Sequence, residues 1–160
     1  MGRRPVRTPR AFTLVEILIV VVILGILAAI VTPQFAGASQ QTSQASFVTD
    51  LLNFEKAMDI YAARTGRYPG DGSSGQVPAG FEDYVRVEGF EGGTPVGGVW
   101  DLEYNDHGVT SAVGVHFNGS GYTQDDAYMS QIDAIFDDGN VNAGRFRRLA
   151  AGRYYLVVAE

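Results

Sequence analysis

The sequence predicts an α+β fold in which one long amino-terminal helix packs on a small antiparallel sheet, with a short helix in the carboxy-terminal half. Three observations predict it. Residues 12–31 form a twenty-residue apolar run that passes without turn chemistry into a helix-periodic stretch. Residues 99–117 and 145–158 alternate apolar and polar side chains around Gly- and Asn-containing turns. A glycine-rich connection separates the two patterns. At 160 residues the chain is long enough for about one domain.

The first element is a basic leader, residues 1–11. MGRRPVRTPRA holds four arginines and no acid, and removing it leaves eight basic and eighteen acidic side chains. Arginine ahead of an apolar run is the positive-inside pattern, so this end is expected to stay in the cytoplasm. The whole chain carries a net charge of −6, which argues against nucleic-acid binding. It has no cysteine, which excludes a disulfide framework, a thiolate metal site and a thiol nucleophile.

The second element is the transmembrane part of the helix, 12–33. FTLVEILIVVVILGILAAIV spans about 30 Å at 1.5 Å per residue, the thickness of a bilayer core. Glu16 breaks its apolar character. A carboxylate there costs on the order of 3 kcal/mol even on lenient insertion scales. It either snorkels to the interface or meets a positive charge, and between Arg10 and Asp50 the chain offers none. A partner would come from another molecule or from a new amino terminus made by cleavage.

Arg10-Ala11-Phe12-Thr13-Leu14-Val15-Glu16 followed by this helix resembles the prepilin signature of type IV pilins and type II secretion pseudopilins. The resemblance implies that a membrane peptidase cuts between Ala11 and Phe12 and that the new Phe12 terminus is N-methylated. Glu16 then becomes the fifth mature residue, the family's assembly glutamate, which pairs with the terminal amine of a neighbouring subunit. The residue before the cut is usually Gly in the family and is Ala11 here. Gly25 and Pro33 fall where the family often has helix-weakening residues. The implied partners are copies of the chain in a filament, the prepilin peptidase, minor pilins or pseudopilins, and an inner-membrane assembly platform. The implied location is single-pass in the inner membrane with a periplasmic carboxy-terminal domain, and then a periplasmic or cell-surface filament.

The third element is the amphipathic part of the helix, 34–64. Thr32-Pro33 interrupts the hydrogen-bond ladder ahead of it. Phe47, Leu51, Phe54, Met58 and Tyr61 make one stripe, which is expected to pack under the sheet. Gly66 and Pro69 close the helix. Residues 65–98 hold ten of the twenty glycines and read as an irregular connection with a short helix near Phe81–Val85.

The last element is the β region, 99–160. Trp100, Leu102 and Tyr104 share one strand face, Asn105–Gly108 turns the chain, and Val109, Val113, Val115 and Phe117 face inward from the next strand. Thr123–Asp126 resembles a capping box opening a helix over about 124–137, with Gly139 near its C-cap. Arg145–Leu149 and Arg153–Val158 form the final strand pair.

The sequence holds no recognisable catalytic constellation, and the chain is expected not to be an enzyme. His107 and His116 lack metal-ligand spacing and read as surface histidines. Asp138, Asn140 and Asn142 alternate as oxygen ligands do in a calcium loop, but the Gly comes one place late and Leu149 stands where a bidentate Glu is needed. A helix C-cap with an Asx-rich turn explains the same residues and is the reading preferred. Two function classes follow: a prepilin subunit of a type IV pilus-like or type II secretion pseudopilus filament, and a membrane-anchored periplasmic binding module or enzyme with a pilin-like start. The missing catalytic motif favours the filament subunit, and the missing cysteine pair leans towards the pseudopilin.

Overall fold

The computed structural model describes residues 12–119 and 122–160; the expected leader, with Ala11, lies outside them. Helix α1 runs Leu14–Thr65, α2 Val87–Glu91 and α3 Asp126–Phe136. The strands are β1 Val99–Asp106, β2 Val109–His116, β3 Phe146–Ala150 and β4 Arg153–Ala159. They form one antiparallel sheet in the order β1-β2-β4-β3, so the α+β reading holds. The chain divides between Gln40 and Gln41 into two units.

In the first unit α1 continues through Pro33, so the expected interruption does not end the helix. One proline removes one N–H and leaves the flanking bonds intact. The large apolar side chains from Leu14 to Val31 are each 42–83% exposed. An all-round apolar helix needs a partner surface that the unit itself does not supply.

In the second unit the α1 stripe is core. Phe47, Leu51 and Met58 are fully buried, and Phe54 packs against them. Phe47 stacks on Trp100 of β1 with ring centroids 5.0 Å apart, and Phe54 meets the same indole edge-on at 4.9 Å. Leu102, Val113, Val115, Tyr154, Leu156 and Phe146 complete this inner face. The helix stops at Gly66, which adopts φ +78° and donates its N–H to the Ala62 carbonyl at 2.8 Å.

The β1–β2 turn is the two-residue His107-Gly108, with φ +51° and +79° as a type I′ hairpin requires. Gly114 is demanded by packing, since a Cβ there would lie 2.0 Å from the Tyr154 carbonyl oxygen.

Three local expectations are corrected. The helix expected at Phe81–Val85 forms later, at Val87–Glu91, because the earlier residues close single turns onto Pro78 and Phe81. The cap of α3 is Asp125, whose carboxylate accepts from Tyr128 N–H, rather than Thr123; the far end, with its C-cap at Asp137 and Gly139 two residues on, is where the sequence puts it. Val109 packs with Ala112, Tyr155 and Val157 rather than with Val113, next to a register slip between Ser111 and Ala112 that re-aims the strand end.

Candidate functional site

Three polar sites stand out among the described residues: the start of α1, the outer face of the sheet, and the α3–β3 junction.

At the start of α1, Phe12 is exposed and the Glu16 carboxylate is held locally. Thr13 donates its N–H at 2.8 Å and its hydroxyl at 2.7 Å to Glu16 Oε2, and Glu16 N–H donates back to Thr13 Oγ1 at 3.2 Å. This is a reciprocal capping box. Thr13 was missed at the sequence level, although Thr-x-x-Glu is the signal that marks it. α1 is long and apolar enough to cross a membrane by length and composition.

On the outer face of the sheet, Asp101 and Glu103 are almost fully buried, which alternation alone would not suggest for β1. Asp101 Oδ2 accepts from Arg153 at 3.0 Å, from the Tyr155 hydroxyl at 2.7 Å and from the Ser74 hydroxyl at 3.0 Å. Arg153 also donates to Glu103 Oε1. Burial and the neighbouring Asp101 push the Glu103 carboxyl up, and Arg153 opposes them. His116 Nδ1 lies 2.9 Å from Ser74 Oγ, so this histidine belongs to a packed network and not to an open surface. Burial and the Arg153 charge push its imidazole down, against Asp101. Serine, histidine and aspartate meet here without forming a nucleophile relay. Asp101 binds the serine hydroxyl instead of orienting the far ring nitrogen, as a relay demands. His107 remains in its turn, with Nδ1 3.5 Å from Glu103 and 3.4 Å from Asp106.

The α3–β3 junction gathers Asp133, Asp137 and Asp138, each offering an oxygen within 4.8 Å of the others. Asp137 Oδ2 accepts from the N–H groups of Arg145 and Phe146. Asp138 Oδ1 accepts from Asn140 N–H, and Asn140 Oδ1 from Asn142 N–H, so the alternating polar residues first serve as Asx turns. Asp133 is fully buried, its carboxylate lying beside the Asp138 carboxylate and the Asn140 backbone. Burial, and then the charges of Asp137 and Asp138, push its carboxyl up to about 6. These are hard oxygen donors of the type that calcium takes, but three carboxylates supply only about half of the six to eight ligands such an ion needs. Asp133 lies in the last turn of α3, four residues before the C-cap Asp137.

Residues 7–32 match the family model of the prokaryotic N-terminal methylation motif. The chain is 42% identical over 60 residues to type II secretion system core protein G of Pectobacterium carotovorum, covering 38% of each chain. It is 43% identical over 60 residues to the Klebsiella pneumoniae protein of the same name, covering 38% of this chain and 43% of that one. For the Vibrio cholerae protein the figures are 41% over 66 residues, with 41% and 45% covered. The chain thus spans about two-fifths of the length of these curated relatives. No solved structure gave a significant match. The amino-terminal segment of this chain is thus similar to the methylation motif and to the corresponding part of type II secretion system core protein G.

Proposed function

We propose that the chain is a structural subunit of a filament of the type II secretion pseudopilus kind, made as a prepilin and assembled through α1. The observation that carries this reading is the methylation-motif match over residues 7–32, on an apolar stretch, 12–33, whose one carboxylate is Glu16. The names of the relatives favour a pseudopilus over a type IV pilus.

In this reading the prepilin peptidase cuts between Ala11 and Phe12 on the cytoplasmic side and methylates Phe12. The apolar part of α1 spans the inner membrane, and residues beyond it lie in the periplasm. Before assembly, Thr13 meets part of the Glu16 charge through two hydrogen bonds. A carboxylate capped in this way is still a charge in lipid, and pairing it with the Phe12 amine of an adjacent copy removes two charges from lipid together. Minor pseudopilins and an inner-membrane platform are the further partners. The chain acts as scaffold and not as an enzyme. A calcium ion held by Asp133, Asp137 and Asp138 would neutralise the buried carboxylate and tie α3 to the start of β3.

The test is recovery of sheared filaments with mass spectrometry of the subunit. An N-methylated Phe12 terminus is expected, and Glu16→Gln should lower the filament pool by about tenfold or more at an unchanged membrane pool. An assembled subunit that begins at Met1, or equal filament yield in Glu16→Gln, would overturn the reading.

A further inference from the structure

Asp50 lies half-buried on the flank of α1. It forms one wall of a cleft of about 350 Å3, together with Asn53 and Ala57 of the helix and the segment Tyr84–Arg86. Loss of water raises its carboxyl above the ordinary range. An acid drawn from water without a cation is unfavourable. Among the described residues Asp50 has no ion-pair partner, and neither has Lys56, which stands exposed on the same helix. Arg86, the cation that lines the cleft, also lacks an ion pair among the described residues.

Helix geometry relates Asp50 and Lys56; of the other charges of α1, Glu16 is held by Thr13, Glu55 by Arg145 and Asp59 by Tyr68, and Arg64 lies over the Tyr84 ring. Six residues separate Asp50 from Lys56, which is about 9 Å along the axis and about a third of a turn around it. A side-by-side copy moved by about 9 Å towards its own amino end therefore presents Lys56 at the level of Asp50. The flank beside Asp50 is formed by Thr42, Ala45, Ser46 and Thr49. These short side chains let a second helix approach closely.

We propose that this flank of α1 is an interface for a second copy of the chain, whose Lys56 pairs with Asp50 across parallel helices offset by about 9 Å. The proposal rests on the filament reading and fixes a subunit register for it. Each copy uses Asp50 towards one neighbour and Lys56 towards the next, so the contact is head-to-tail and does not close. Arg86 lines the same cleft as Asp50 yet forms no ion pair with it among the described residues.

The chain has no cysteine, which gives a clean background for cross-linking the full-length protein. In Asp50→Cys/Lys56→Cys the two thiols of one copy are about 9 Å apart and cannot bridge within a chain. Oxidised filaments should therefore yield a ladder of dimers, trimers and higher species. A filament pellet equal to that of the unsubstituted chain with no ladder, or with dimers alone, overturns the proposal. In a second arm, Asp50→Lys and Lys56→Asp should each reduce the filament pool about threefold. The two together should restore it, and failure to restore overturns the proposal. If the unsubstituted chain never pellets, the filament reading falls and this contact with it. If it pellets while both arms fail, only this contact falls.

Discussion

The two parts of α1 bury their apolar residues by opposite means. From Leu14 to Val31 apolar side chains point in every direction and stay exposed within their own unit. From Phe47 to Tyr61 they form one stripe, and the sheet of the second unit covers it. The first stretch is selected for its surroundings, so its order within the helix matters little and its composition matters most. The second is selected for particular neighbours such as Trp100, so spacing matters most. A continuous helix thus carries two unlike kinds of information, and substitutions should separate them.

The largest separation is expected from Trp100→Ala. The indole is 1% exposed and touches both Phe47 and Phe54. Its removal should cost about 3–5 kcal/mol. Limited proteolysis should then digest residues beyond Gln40, while the apolar stretch still fractionates with membranes. Loss of membrane association in this variant would break the comparison, because it would make the first stretch depend on the second unit's core.

The same contrast explains what the sequence revealed. The apolar span, Glu16 and the Phe47–Tyr61 stripe were legible because each depends on local spacing. The strands were legible because alternation and turn residues are local too. What escaped were residues whose roles come from distant partners. Asp101 and Glu103 read as the solvent side of β1, yet Arg153, 50 or more positions later, makes them interior. His116 read as a surface group because Ser74 is 42 residues away. Asp133 carries no local signal of its role, since its burial follows from how α3 packs. The sequence suggests α2 too early because the residues around Phe81 satisfy helix-like turns without continuing them.

A smaller effect sharpens the comparison within the second unit. Saturating calcium should stabilise residues 41–160 by about 3 kcal/mol at a hundredfold excess over its dissociation constant, and a chelator should remove this. With chelator present, Asp133→Asn should itself stabilise by about 1–2 kcal/mol at neutral pH, because it removes a buried charge whose carboxyl is raised to about 6. The sign follows from linkage. The folded state binds this proton more tightly than the unfolded state, so the unfavourable contribution is complete above about pH 6 and fades as the pH falls towards 4. Thermal melts with calcium and with chelator, for both chains, check it. A calcium response unchanged by Asp133→Asn would remove Asp133 from the ligand set.

The smallest effect belongs to His116. Its imidazole is held below the usual value by burial and by Arg153, with Asp101 opposing. The folded state therefore favours the neutral ring. The stabilisation is complete above the unfolded value of about 6.5 and is lost as the pH drops below it. The groups facing it set competing slopes. Glu103, raised by burial, and Asp71, raised by burial and by Asp101, both prefer lower pH in the folded state. The net change between pH 7.5 and 5.5 should then be under about 1 kcal/mol, or a few degrees in Tm. Chelator-treated His116→Gln should be less sensitive to acid than the unsubstituted chain over this range, and the apolar stretch of α1, which has no titrating side chain but Glu16, should show no matching change in membrane partition. Equal acid sensitivity in the two chains would mean that Ser74 and Asp101 hold the protonated ring as well as the neutral one, and that the network is pinned by Arg153 alone.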